Sequence, residues 1–82
     1  ADAHYNLGVI YLTFNMYDKA LNELRIAVNL DPNDPEGRFN LGFAYYKTGQ
    51  PAYAQRELAE ALKIKPDDQR AQQLLKIVKG EK

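Results

Sequence analysis

Asn6-Leu7-Gly8-Val9-Ile10-Tyr11-Leu12 (residues 6–12) and Asn40-Leu41-Gly42-Phe43-Ala44-Tyr45-Tyr46 (residues 40–46) decide how this 82-residue chain folds. The two stretches share Asn, Leu, Gly and Tyr at a spacing of 34 residues. Working outward, the match continues without a gap. Ala20, Glu23, Leu24 and Ala27 fall on Ala54, Glu57, Leu58 and Ala61, and Pro32 and Asp34 fall on Pro66 and Asp68. Ungapped repetition at a fixed period marks stacked units, each too small to bury its own apolar face. A third unit starts at Gln69 and runs for one helix length. In it Ala71 continues Ala3 and Gly37, and Leu75 continues Leu7 and Leu41.

Each unit reads as two helices. Ala3, Leu7, Ile10, Tyr11 and Phe14 recur at three- and four-residue steps, which is helical periodicity. Asp2 is placed to cap this helix, and Asn15 suits a left-handed stop. Asp18 is expected to open a second helix, with Ala20, Leu21, Leu24, Ala27 and Val28 on one face. Asp31-Pro32 closes it, because Pro cannot continue the hydrogen-bond ladder. The next unit predicts a helix from about Glu36 to Thr48, a stop at Gly49, and a helix from about Pro51 to Ile64. A last helix, about Asp68 to Lys79, ends at Gly80. Gly8 and Gly42 sit mid-helix, where Gly costs about 0.5–1 kcal/mol relative to Ala. Close approach of another helix explains them, with Ala20 and Ala54 as the expected partners. Lys76 takes the Gly place in the last helix, which has no second helix to receive.

The repeated Leu7-Gly8, Tyr11, Ala20, Leu24, Ala27 and Pro32 resemble the tetratricopeptide repeat. The resemblance covers the whole chain: repeats at 1–34 and 35–68, then a capping helix at 69–82. It implies an all-α solenoid of five helices wound as a right-handed superhelix. It also implies a concave groove lined by the first helix of each pair, and a scaffold for protein–protein contact rather than an enzyme. One departure is His4 and Arg38, which stand where the family favours a large aromatic. The top of each helix pair is therefore expected to be less tightly filled.

The resemblance also places a candidate groove. Asp2, Tyr5, Val9 and Leu12 should face it from the first repeat, and Glu36, Phe39, Phe43 and Tyr46 from the second. Arg70, Gln73 and Ile77 follow from the last helix. Asn6 and Asn40 lie beside this row, and Thr13 and Lys47 at its edge. Aromatic residues at helical spacing also suit a core. Two readings of the row are open, a partly exposed apolar strip or local packing that closes it. Val9, Phe43 and Ile77 favour the strip, since the family often places polar residues at that step. Asn6 and Asn40 are expected to bond either the backbone of an extended ligand or their own surroundings. The family's chaperone-binding subgroup grips a terminal carboxylate with Lys, Asn and Arg. Here Tyr5, Val9, Arg70 and Leu74 occupy four of those places, and only Asn40 matches. No such clamp is implied. The ligand expected is an apolar peptide or an amphipathic helix.

The ends of the stack differ. Ala71, Leu75 and Val78 should pack on the preceding helix. Their counterparts Ala3, Leu7 and Ile10 have no preceding helix, and native solenoids usually end in polar caps. Two expectations follow: the chain is a fragment of a longer array, or this face serves self-association. Charge bears on the second. The chain carries 11 bases and 11 acids. Residues 1–34 hold two bases against five acids, and residues 63–82 hold six bases against three. Opposite ends could pair head to tail, although exposed charges are screened within about 8–10 Å at ordinary salt.

Other classes find little support. The chain holds no Cys and no Ser, so cysteine and serine nucleophiles are excluded. His4 is the single histidine and no metal-ligating cluster surrounds it. Asp31/Asp34 and Asp67/Asp68 fall at turns, where Asp shapes loops and caps helices, and they are read as solvated. The glycines form no phosphate-binding loop. The basic last helix lacks interleaved aromatics for base stacking. No run approaches the ~20 apolar residues of a membrane span. The expectation is no catalysis, no cofactor, no metal, no nucleic acid and no membrane insertion. The partner would be a protein or peptide, with a homo-oligomer as the alternative. Absence of Cys fits either redox environment and leaves the compartment open. Two repeats and a helix lie near the lower size limit for a stable stack.

Overall fold

The computed structural model describes residues 3–80. Five α-helices follow one another: α1 (Ala3–Thr13), α2 (Tyr17–Leu30), α3 (Pro35–Lys47), α4 (Pro51–Ile64) and α5 (Gln69–Lys79). No strand occurs among the described residues. Each helix packs on the next. In addition α1 touches α3 and α3 touches α5, while among the described residues α2 does not touch α4. The odd-numbered helices therefore form the inner layer of the curve, and the even-numbered ones splay on the outside.

Local chemistry sets the boundaries. Asn15 takes a left-handed φ of 60°, and Gly49 takes 76° one repeat later. The same two bonds close both helices. Asn15 N–H donates to the Leu12 carbonyl and Met16 N–H to the Tyr11 carbonyl. Gly49 N–H and Gln50 N–H do the same with Tyr46 and Tyr45. This is a Schellman closure, which satisfies carbonyls that the helix end would otherwise orphan. Asp34 caps α3 by accepting from Glu36 N–H at 3.1 Å. Asp68 caps α5 by accepting from Arg70 N–H at 3.0 Å.

Some boundaries differ from the expectation. Asp18 does not open α2. The helix starts at Tyr17 after Met16, which makes no side-chain cap bond, and Asp18 lies in the first turn. There its carboxylate still favours the positive helix end. α3 stops one residue earlier than predicted, with Thr48 as its cap. Asp68 stands before α5 rather than in it. The predicted capping role of Asp2 lies outside the described residues.

The core has two parts. Ala20, Leu24, Val28, Leu41 and Ala44 form one, and Leu58, Ala71 and Leu74 form the other. Leu24 and Leu58 are fully buried, each removing a leucine side chain from water for about 1.5–3 kcal/mol. They also make the nearest contacts of the two glycines. A Cβ on Gly8 would lie 2.7 Å from the Leu24 side chain, and one on Gly42 would lie 2.9 Å from Leu58. Ala20 and Ala54 are fully buried, and the Ala54 carbonyl oxygen would lie 3.4 Å from the Gly42 Cβ. The leucine knobs come closer still. Ala71, Leu75 and Val78 pack into the second core as predicted.

The tops of the helix pairs carry polar bridges. His4 Nδ1 meets Glu23 Oε1 at 2.8 Å, joining α1 to α2. Arg38 Nη1 meets Glu57 Oε1 at 2.9 Å, joining α3 to α4. Polar bridges stand where the family favours an aromatic, at the same register in both units.

Candidate functional site

The inner layer carries the predicted groove row. Tyr5, Val9 and Leu12 on α1 are half-buried, as are Phe39, Asn40, Phe43 and Tyr46 on α3. Asn6 on α1 and Arg70, Gln73 and Ile77 on α5 are exposed. The two readings of the aromatics therefore both hold in part. Phe39, Phe43 and Tyr46 root on the second core, and Tyr5 and Leu12 on the first. None of the five is fully covered. Phe39, Phe43 and Tyr46 fall at i, i+4 and i+7, which keeps them on one face of α3. Ile77 is 56% exposed on the neighbouring inner helix.

Polar contacts fix the upper end of the row. Asn40 Nδ2 donates to the Tyr5 hydroxyl at 3.0 Å. Asn40 is thus engaged with its surroundings, while Asn6 is open to solvent. Burial raises the Tyr5 hydroxyl above its usual range, and the Glu36 and Asp34 carboxylates add to it. The Asn40 bond opposes them in part. Arg70 lies over the Phe39 ring at 4.6 Å from its centroid. Its guanidinium also bonds Glu36 and reaches Asp68. The bond to Glu36 is the main cause that raises Arg70 above its usual range.

Asp68 departs from the expectation of a solvated turn carboxylate. It is only 5% exposed. Burial pushes its carboxyl up, but bonds from Ala71 N–H and Arg70 outweigh that and hold it below the usual range. Its Oδ2 is buried without a partner among the described residues.

The lower end of the row holds residues that the sequence reading missed or placed at its margin. Tyr17, from α2, meets Phe43 edge-on with ring centroids 6.3 Å apart. The Lys47 ammonium lies 5.8 Å from the Tyr17 ring centroid, 5.6 Å from Phe43 and 5.8 Å from Tyr46. Tyr17 escaped notice because it belongs to a second helix. The aromatic excess at 43–46 was the available signal.

The candidate self-association face is open. Ala3 is exposed, Leu7 is 38% exposed and Ile10 51%. One repeat later Leu41 and Ala44 are 3% and 0% exposed. The difference is the helix α2, which covers α3 and has no counterpart on α1 among the described residues. Phe14, 69% exposed, extends the stripe by one turn and was not counted in it. No described group of His, Cys, Asp and Glu is arranged to hold a metal ion. No described helix is long and apolar enough to cross a membrane.

The repeat period, the paired helices and the inner layer together match a known architecture. A family model described as tetratricopeptide repeat matches residues 7–78. The chain belongs to the tetratricopeptide repeat family. Repeats of this family generally mediate protein–protein interaction. The chain is 35% identical over 60 residues to "Cellulose synthase 2 operon protein C" of Komagataeibacter xylinus, a match covering 73% of this chain and 5% of that protein. Among solved structures it is similar to a chain of the APC/C hetero-tetramer Cut9–Hcn1. The TM-score is 0.85 and the identity 32%, covering 92% of this chain and 14% of that one. The chain thus spans a small part of the length of both relatives.

Proposed function

We propose that this chain is a protein-interaction scaffold whose inner groove takes an apolar peptide or an amphipathic helix. The observation that carries the reading is the row Phe39, Phe43 and Tyr46 on α3. Each ring is anchored on the core and partly open on the concave side. Rigid aromatic residues rooted in this way dominate binding energy at interfaces. Val9 and Ile77 extend the apolar surface to the neighbouring inner helices. Division into units at 34 and 68, within a longer array, belongs to the same proposal, and the greater length of the relatives supports it. The solved neighbour comes from a hetero-tetramer, which agrees with a role in assembly.

Affinity capture from the source organism's lysate tests the reading. Wild type is compared with Phe43→Glu and with Ile77→Asp. Ile77 is exposed, so its variant keeps the test valid if Phe43→Glu loosens the fold. A shared set of proteins lost with both variants is expected. An unchanged set with both well-folded variants would refute the groove.

A second reading rests on Leu7, Ile10 and Phe14. Their exposure, against the buried Leu41 and Ala44, favours self-association through the open side of α1. Sedimentation equilibrium over a hundredfold concentration range should then show mass rising for wild type and not for Ile10→Glu. A mass that stays monomeric throughout removes this reading. A mass that also stays constant with salt removes any part for the charged ends.

A further inference from the structure

We infer that the groove ligand carries a carboxylate that docks on Lys47, so that the groove reads an acidic residue next to apolar anchors. This rests on the groove reading above and names the chemistry of its ligand. Lys47 lies in the last turn of α3, where a cation is favoured by the helix end. Its ammonium is cradled by Tyr17, Phe43 and Tyr46 at 5.6–5.8 Å. No described carboxylate lies within ion-pair distance of it. Ring faces attract a cation but do not accept its three N–H bonds as an oxygen does. The ammonium is therefore positioned and still able to donate.

Its surroundings leave room. A cavity of about 570 Å³ opens beside Lys47 between the α1–α2 turn and the end of α3, with Asn15, Tyr17, Lys19 and Thr48 in its lining. Asp18 also lines it, but the two lysines outnumber that one acid. The opposite end of the row has the reverse balance. There Arg70 is already engaged by Glu36 and Asp68, and Asp34 adds a further carboxylate close enough to raise Tyr5. An acidic residue of the ligand is disfavoured at that end and favoured at Lys47. The charge pattern thus sets the direction in which the ligand lies, across about 10 Å from Phe39 to Tyr46. Complementary charge of this kind fixes register more than it raises affinity.

A displayed library of random twelve-residue peptides is the probe. It is panned on the full chain as wild type, Lys47→Gln and Phe43→Glu. Wild type should enrich apolar peptides with Asp or Glu at a constant spacing from the anchor. Lys47→Gln should keep the apolar anchors and lose the acidic residue, with wild-type-selected peptides binding it roughly fivefold more weakly, the scale of an exposed ion pair. Phe43→Glu should enrich none of them. Apolar peptides without an acidic preference, or equal binding by Lys47→Gln, would overturn the carboxylate assignment and leave the groove standing. Peptides insensitive to Phe43→Glu, or no enrichment at all on wild type, would overturn the groove and the assignment together.

Discussion

Arg38 on α3 bonds Glu57 on α4, Nη1 to Oε1 at 2.9 Å, in the register where the first unit joins His4 to Glu23. The two side chains of the second pair are only 20% and 13% exposed. Screening by water is therefore reduced, though not removed. The Arg38 Nε also donates to the Pro32 carbonyl at 3.0 Å, which ties the α2–α3 turn to the pair. One guanidinium thus holds a loop and two helices.

Arg38→Met should cost about 1–2 kcal/mol in chemical denaturation, because Glu57 is left half-desolvated without its cation. Adding Glu57→Gln should recover part of that loss, since the orphaned charge is gone. A loss below about 0.5 kcal/mol in the single variant would class the pair with idle surface ion pairs.

Gly42→Ala gives a prediction whose sign runs against helix propensity. Ala is the better helix former by about 1 kcal/mol. Its Cβ would nevertheless lie 2.9 Å from Leu58 Cγ and 3.4 Å from the Ala54 carbonyl oxygen. Leu58 is fully buried and has no free volume to retreat into. Overpacking of this kind costs about 1–3 kcal/mol, so a net destabilisation is expected, and Gly8→Ala should behave alike against Leu24. A thermal melt unchanged or raised by Gly42→Ala would show that the α3–α4 pair accommodates the methyl group.

These two cases show what the sequence reveals and what it conceals. The 34-residue period displays the helices, their stops at Asn15 and Gly49, and the open stripe of Leu7 and Ile10. Those features depend on local conformation or on which described helices lie alongside. Which knob fills the Gly8 notch depends on the axial offset of two helices. A shift of one turn exchanges Ala20 for Leu24, and periodicity alone does not fix it. The same offset hides the pairing of His4 with Glu23, nineteen residues on. In the groove, the row on the first helices was readable because it repeats. Tyr17 was not, because it enters from a second helix and its counterpart in the next unit is Pro51.

Tyr5 supplies a test at alkaline pH. Its hydroxyl is raised above the ordinary value of 10.0, first by burial and then by Glu36 and Asp34. The unfolded chain therefore loses this proton before the folded one does. The associated stability is present below the unfolded pKa and is lost as pH rises through the folded one. Wild type should lose stability above about pH 10 more steeply than Tyr5→Phe. Parallel stability curves for the two proteins would show that the hydroxyl is not linked to folding.

Asp68 reports on the acid side. It caps α5 through Arg70 N–H and Ala71 N–H, and it is the residue that places Arg70 between two carboxylates. Its carboxyl titrates below the ordinary 3.8 when folded. The sign is therefore opposite to that of Tyr5. The stabilisation is complete above the unfolded pKa and disappears as pH falls through the folded one. Asp68→Ala removes cap and charge together and should cost about 1 kcal/mol at neutral pH. Asp68→Asn keeps a good capping oxygen and removes only the charge. It should cost less at neutral pH, and its stability should fall less than that of wild type as pH drops below about 4. Equal losses for both variants at neutral pH would mean that the charge, rather than the cap, holds α5 in place. An acid decline as steep in Asp68→Asn as in wild type would place the responsible carboxylate elsewhere.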